Sequence, residues 1–149
     1  MRGFARTPEH VRDVRRFSRL GEHGALWLAL GATGALVDGA NRSRWARATA
    51  AVAVAYVCST SIKLVIGRRR PAVEDLPHLM ATPTGLSFPS SHASSSFAAA
   101  RAYGGLLPSV PLYGTAVAMA LSRVYLGVHY PSDIAAGAGV GAAIGSLGR

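Results

Sequence analysis

The chain has 149 residues, half of them apolar but only 7% aromatic, and carries a formal net charge of +9. That length fits one domain, and a lone cysteine, Cys58, excludes an intrachain disulfide. The charge points to an anionic partner, yet the arginines are separated by long apolar runs and do not alternate with stacking aromatics. A nucleic-acid partner therefore fits poorly and a basic membrane protein fits well.

Residues 1–20 carry six arginines, and Val11, Val14 and Phe17 recur at helical spacing between Glu9, Arg12, Arg15, Arg16 and Arg19. This predicts a basic amphipathic helix on an anionic membrane surface, with a disordered basic tail as the alternative. A signal-peptide layout is not expected, because the basic region is too long and no small-residue cleavage site follows.

Five apolar runs come next, at 24–40, 45–62, 90–107, 110–127 and 132–147. Each is near the ~17–25 residues that span hydrocarbon as a helix, the third and fifth being short. The predicted fold is all-α: a polytopic membrane bundle of about five transmembrane helices (23–149) preceded by an interfacial helix (1–22). A soluble bundle with very apolar helices is the competing reading. Gly137, Gly141 and Gly145 make a small-residue stripe on the last run, suited to close packing inside the bundle or against a second copy of the chain.

Five spans place the N-terminus, the 67–88 loop and the 128–131 turn on one side. Fifteen of the sixteen Lys and Arg residues are Arg, and six of them lie in the N-terminal arm on that side. The positive-inside rule then predicts a site facing the cytoplasm in a plasma-membrane protein.

Three stretches bring reactive groups to that side. In the first, the single lysine, Lys63, precedes Arg70 by seven residues, so both can share a helix face before Pro71 ends it. In the second, Phe88-Pro-Ser90-Ser91-His92, a proline and a serine open a helix whose free N–H groups suit an anion, with His92 in the first turn. The third is Ser122-Arg123, followed by His129 and Asp133. A carboxylate four residues after the imidazole can fix its tautomer and leave the other nitrogen free as nucleophile or base. Arg123 adds a guanidinium fork suited to phosphate. His129 and Asp133 could also be half of a metal site, but no further ligand set at metal spacing accompanies them, so neither metal nor cofactor is expected.

In order, KxxxxxxRP, PSxH and SRxxxxxHxxxD resemble the signature of the type 2 phosphatidic acid phosphatases (PAP2), across residues 63–133. The family's usual PSGH is PSSH here, with Ser91 in place of glycine. The resemblance implies a metal-independent phosphatase in which Lys63, Arg70 and Arg123 hold the phosphoryl oxygens, with Ser90 and the N–H groups of Ser91 and His92. It further implies that His129 attacks phosphorus to give a phosphohistidine, Asp133 orients it, His92 protonates the leaving oxygen and Ser122 supports the site.

The substrate class it implies is a lipid-linked phosphate whose tail stays in the bilayer. The wider text around both histidines is similar to a short actinobacterial subgroup associated with decaprenylphosphoryl-5-phosphoribose, a cell-wall arabinan precursor. Phosphatidylglycerophosphate and polyprenyl pyrophosphate stand as alternatives. The rival readings are a vanadate-dependent peroxidase, which the spans disfavour, and a non-catalytic lipid-phosphate binder or transporter, which has no need of an oriented nucleophile. Glu74, Asp75 and His78 lie in the loop over the site and read as solvated.

Overall fold

Where apolar runs meet capping residues, the chain folds into helices. The computed structural model describes residues 7–72 and 78–149, and those residues form six α-helices. They are α1 (Pro8–Leu20), α2 (Ala25–Val37), α3 (Arg42–Ile66), α4 (Ser91–Tyr103), α5 (Ser109–Tyr125) and α6 (Pro131–Leu147). Thr7 caps α1 by accepting from the His10 N–H at 3.3 Å, and Pro8 takes the first helical position, where no N–H is needed. Asp38 ends α2 and ties the turn into α3: it accepts from the side chains of Asn41 and Trp45.

α4 is the axis of the bundle. Its sequence, SHASSSFAAARAY, is almost all small, nine of its residues are buried, and it packs against α3, α5 and α6. Small side chains let neighbouring backbones approach closely. The closest approach is to α6, where a Cβ on Gly137, Gly141 or Gly145 would run into the carbonyl oxygens of Ser90, Ser94 and Ala98. The glycine stripe is therefore filled by α4 of the same chain. The expectation that this face could seat a second copy is corrected, because the surface is already buried.

Toward the other end, Trp27, Trp45, Val52, Tyr103 and Leu112 form the main apolar core. Its polar atoms are satisfied, as buried tips must be: Trp27 Nε1–H donates to Ser96 Oγ at 2.9 Å and Tyr103 O–H to the Trp27 carbonyl at 2.9 Å.

Large apolar side chains also face outward, among them Leu36, Val37, Leu64, Val65, Val110, Leu121 and Leu147. Outward apolar side chains on α2, α3, α5 and α6 suit hydrocarbon better than water. Among the described residues, one helical segment, Gly39–Ile66, is long and apolar enough to cross a membrane by itself. α2 and α4 have 13 residues each, roughly 20 Å at 1.5 Å per residue. They are shorter than the apolar runs at 24–40 and 90–107 because Asp38 and the Gly104-Gly105 turn stop them early.

Two ends result. The C-terminal end of α1, residues 67–72 and 78–90, and the 126–130 turn meet at one, where His92 bonds to Ser18 and Arg70 to the Val128 carbonyl. At the other, Arg44 reaches the Gly105 carbonyl and Arg149 the Arg101 carbonyl.

Candidate active site

Each segment at the first end delivers a charged group for a local reason. α3 ends at Ile66 because Gly67 adopts the left-handed conformation (φ 65°) and its N–H returns to the Lys63 carbonyl. Lys63 is thus buried in the last helical turn, where its Nζ donates to the carbonyls of Pro89 (2.8 Å) and Ser87 (3.3 Å).

Arg70 lies beyond the helix, which corrects the expectation that it shares a helix face with Lys63. An isolated antiparallel bridge between Arg69 and Leu86 holds this stretch extended, so residues 68 and 70 project to the same side. Arg70 donates from Nε to the Thr84 carbonyl (2.9 Å) and from Nη1 to the Val128 carbonyl (2.6 Å) and His129 Nε2 (3.3 Å).

His129 follows α5 in a turn closed by Gly127 (φ 75°), and Asp133 occupies the first turn of α6. Asp133 is fully buried, and its Oδ2 accepts from the Tyr130 N–H (2.8 Å) and His129 Nδ1 (3.3 Å). Arginine only donates, so its contact with Nε2 makes that nitrogen the acceptor and leaves the proton on Nδ1. His129 therefore presents an Nε2 lone pair. Burial lowers its pKa to about 4, helped by the charges of Arg70, Arg123 and Lys63 and opposed by the Asp133 hydrogen bond. The ring is neutral at physiological pH. Burial likewise lowers the Arg70 pKa, against the pull of Asp133; arginine still keeps its charge at neutral pH.

Arg123, in the last turn of α5, is buried and donates from Nη1 to Ser18 Oγ at 2.7 Å, while its Nε–H has no hydrogen-bond partner among the described residues. A buried guanidinium with a spare N–H is a ready phosphate donor. His92 Nε2 contacts the Ser18 carbonyl at 3.1 Å, which leaves Nδ1 for a ligand.

Lys63, Arg70, Ser91, His92, Arg123 and His129 line one cavity of about 100 Å³. Ser90 is fully buried beside it and caps α4, its Oγ accepting from the Ala93 N–H at 3.4 Å. That geometry leaves the Ser91 and His92 N–H groups without intrahelical acceptors. Ser122 does not line the cavity. Its Oγ donates to the Met119 carbonyl at 2.7 Å within α5, one residue before Arg123.

Sequence reasoning missed two residues. Ser18 on α1 touches both Arg123 and His92. Arg68 donates to Asp133 Oδ1 (3.1 Å) and Ser132 Oγ (2.9 Å) and stacks 4.1 Å over the Tyr130 ring, fixing the far side of the carboxylate that orients His129. Alternation along an extended stretch was the available signal for Arg68; Ser18 had none. His78 contacts the Pro71 carbonyl at 2.6 Å and is exposed, while Glu74 and Asp75 lie outside the described residues.

The site is thus a neutral, oriented imidazole among three cations, with a second imidazole lining the same cavity. The PAP2 superfamily pattern matches residues 44–148. The chain belongs to the PAP2 superfamily. A decaprenylphosphoryl-5-phosphoribose phosphatase of Mycolicibacterium smegmatis is 42% identical over 135 residues, covering 90% of this chain and 74% of that protein. Among solved structures, Aquifex aeolicus LpxE superposes with a TM-score of 0.82 at 25% identity, over 99% of this chain and 89% of that one. A transmembrane PAP2-type phosphatidylglycerolphosphate phosphatase of Bacillus subtilis gives 0.77 at 20% identity, over 99% and 78%. As a PAP2-type phosphatase, this chain shares with its solved neighbours the helical arrangement that surrounds the cavity.

Proposed function

We propose that this PAP2 chain is a multi-pass lipid phosphatase of the plasma membrane that removes the 5-phosphate of decaprenylphosphoryl-5-phosphoribose. The observation that carries the substrate is the 42% identity over 90% of the chain to a phosphatase of that name. The chemistry follows from the site. Phosphoryl transfer needs positioning and charge stabilisation more than covalent assistance. Lys63, Arg70 and Arg123 supply three fixed cations, and the Ser91 and His92 N–H groups add donors at the start of α4.

When a phosphoryl oxygen takes over the Arg70 N–H, the His129 Nε2 lone pair is released for attack. The N–P bond forms and the bond from phosphorus to the ester oxygen breaks, while His92, doubly protonated once the phosphate dianion is bound beside it, gives that oxygen its Nδ1 proton and keeps the Nε2 proton on the Ser18 carbonyl. His92 then takes a proton from water, whose oxygen attacks phosphorus, so that inorganic phosphate leaves and His129 is regenerated. Asp133 stabilises the positive ring while phosphorus is attached.

The arginines of α1, with Arg68 and Arg69, support a cytoplasm-facing site. A cysteine placed at position 75, in a chain with Cys58 replaced, is then expected to resist impermeant thiol reagents in intact cells. Labelling from outside would reverse the orientation.

The function is tested by phosphate release from a panel of decaprenylphosphoryl-5-phosphoribose, phosphatidylglycerophosphate, phosphatidic acid and a polyprenyl pyrophosphate. The first should turn over fastest, and His129→Ala should reduce that rate by at least ~10⁴-fold. A preference for any other lipid would overturn the substrate, and activity surviving in His129→Ala would overturn the mechanism.

A further inference from the structure

The cavity has a second wall that the phosphate chemistry does not use. Glu22, His23, Tyr56 and Thr60 line it, facing the cationic side. His23 and Glu22 belong to the short 3-10 turn Glu22–Gly24 that links α1 to α2. His23 is the only non-glycine residue with positive φ among the described residues (54°), and Gly24 follows it at 70°. A histidine held in the left-handed region is strained unless its surroundings fix it, and such outliers concentrate where a side chain has a task. Here the conformation turns the ring across to α3, where Nδ1 meets the Tyr56 hydroxyl at 2.7 Å and the rings pack edge to face at 5.8 Å.

The wall's charge is as informative as its shape. Its one ionic group, the Glu22 carboxylate, has no hydrogen-bond partner among the described residues and acts electrostatically on Arg123. Beside it stand an imidazole and two hydroxyls, with no cation. A carboxylate, a phenol and an imidazole suit the hydroxyls of a neutral polyol, accepting from and donating to the same groups. They suit a second phosphate less well, because it would meet the Glu22 charge while Lys63, Arg70 and Arg123 are engaged by the first.

We infer that Glu22, His23 and Tyr56 form a polyol subsite that binds the hydroxyl-bearing sugar or glycerol carrying the scissile phosphate and discriminates against pyrophosphates. This rests on the phosphatase reading of the adjoining site. It makes the α1–α2 turn a determinant of substrate choice.

The test compares Tyr56→Phe and Glu22→Gln with the parent enzyme on decaprenylphosphoryl-5-phosphoribose, phosphatidylglycerophosphate, phosphatidic acid and a polyprenyl pyrophosphate. Each variant's thermal midpoint is checked in the same detergent. Phosphatidic acid has no hydroxyl beside its phosphate. The selectivity in kcat/KM for the hydroxyl-bearing lipids over phosphatidic acid should fall about 3- to 30-fold, mainly through KM. In Glu22→Gln, turnover of the pyrophosphate should rise relative to the monoesters.

Equal losses on phosphatidic acid and on the hydroxyl-bearing lipids, or unchanged selectivity, would overturn the subsite. A parent enzyme that ignores decaprenylphosphoryl-5-phosphoribose but loses selectivity for phosphatidylglycerophosphate in the variants would overturn the proposed substrate and uphold the subsite. A parent enzyme that favours the pyrophosphate would overturn both.

Discussion

The two ends of the bundle are both rich in arginine, yet they use it in opposite ways. At the far end, Arg42, Arg44 and Arg149 are exposed and spend their donors on the carbonyls of Ala35, Gly105 and Arg101 near helix ends. At the site end, Arg123 is buried, Arg70 is half-buried beside the His129 imidazole, and Arg123 keeps one N–H without a partner. Asp133, the buried carboxylate there, is already engaged by His129, Tyr130 and Arg68. The difference teaches that residue type says little about function. Burial combined with a shortage of acceptors, as at Arg123, suits an arginine to clamp an anion, whereas Arg70 spends donors on the Thr84 and Val128 carbonyls as the far-end arginines do.

That contrast can be broken experimentally. Arg123→Ala removes the buried guanidinium proposed to hold the phosphoryl group and should lower kcat/KM by ~10²–10³-fold, as loss of one transition-state donor does. A loss of tenfold or less, in a variant with an unchanged thermal midpoint, would place Arg123 with the anchors. The pH profile sharpens the same point. Because His129 is held to about 4 by burial and by its cationic neighbours, the lone pair persists down to that pH. The free enzyme's kcat/KM, corrected for the titration of the substrate's own phosphate, should fall about tenfold per pH unit only below it. An acid limb near the ordinary histidine value would mean that the ring is neither buried nor surrounded by cations.

Smaller effects grade the rest of the site end. Arg68→Ala frees one oxygen of Asp133 and should cost about 3- to 10-fold in kcat, since Arg68 is partly exposed and the His129 contact survives. Arg68→Lys, which keeps the charge but loses the planar stack on Tyr130, should recover part of that loss. At the far end, Arg44→Ala should change activity less than about twofold and stability by less than ~0.5 kcal/mol, as is usual for an exposed anchor. A large catalytic defect there would dissolve the distinction between the ends.

The helices were legible in the sequence because apolar runs, prolines and capping residues are local signals. The candidate site residues Lys63, Arg70, His92, Arg123, His129 and Asp133 were legible because their spacing is a motif, and the fold brings all six together. What was hidden depends on tertiary packing. Ser18 meets Arg123 across 105 residues, and His23 meets Tyr56 across 33; no local periodicity encodes either pairing. Arg70 was misread as helical because Lys63 and Arg70 fit a helical period, whereas Gly67 ends the helix between them. The Gly137, Gly141 and Gly145 stripe announced close packing without naming its partner, which is the equally small-residued α4.

The central claim, that the His129 Nε2 lone pair forms a bond to phosphorus, is tested most directly by rapid acid-free quenching of the enzyme with labelled substrate, followed by peptide mass spectrometry. The account predicts an acid-labile phosphoryl group on the peptide containing His129, absent from His129→Ala and longer-lived in His92→Gln, where the group that activates water is gone. Phosphate released with no covalent species at any time, or a label on another residue, would contradict it.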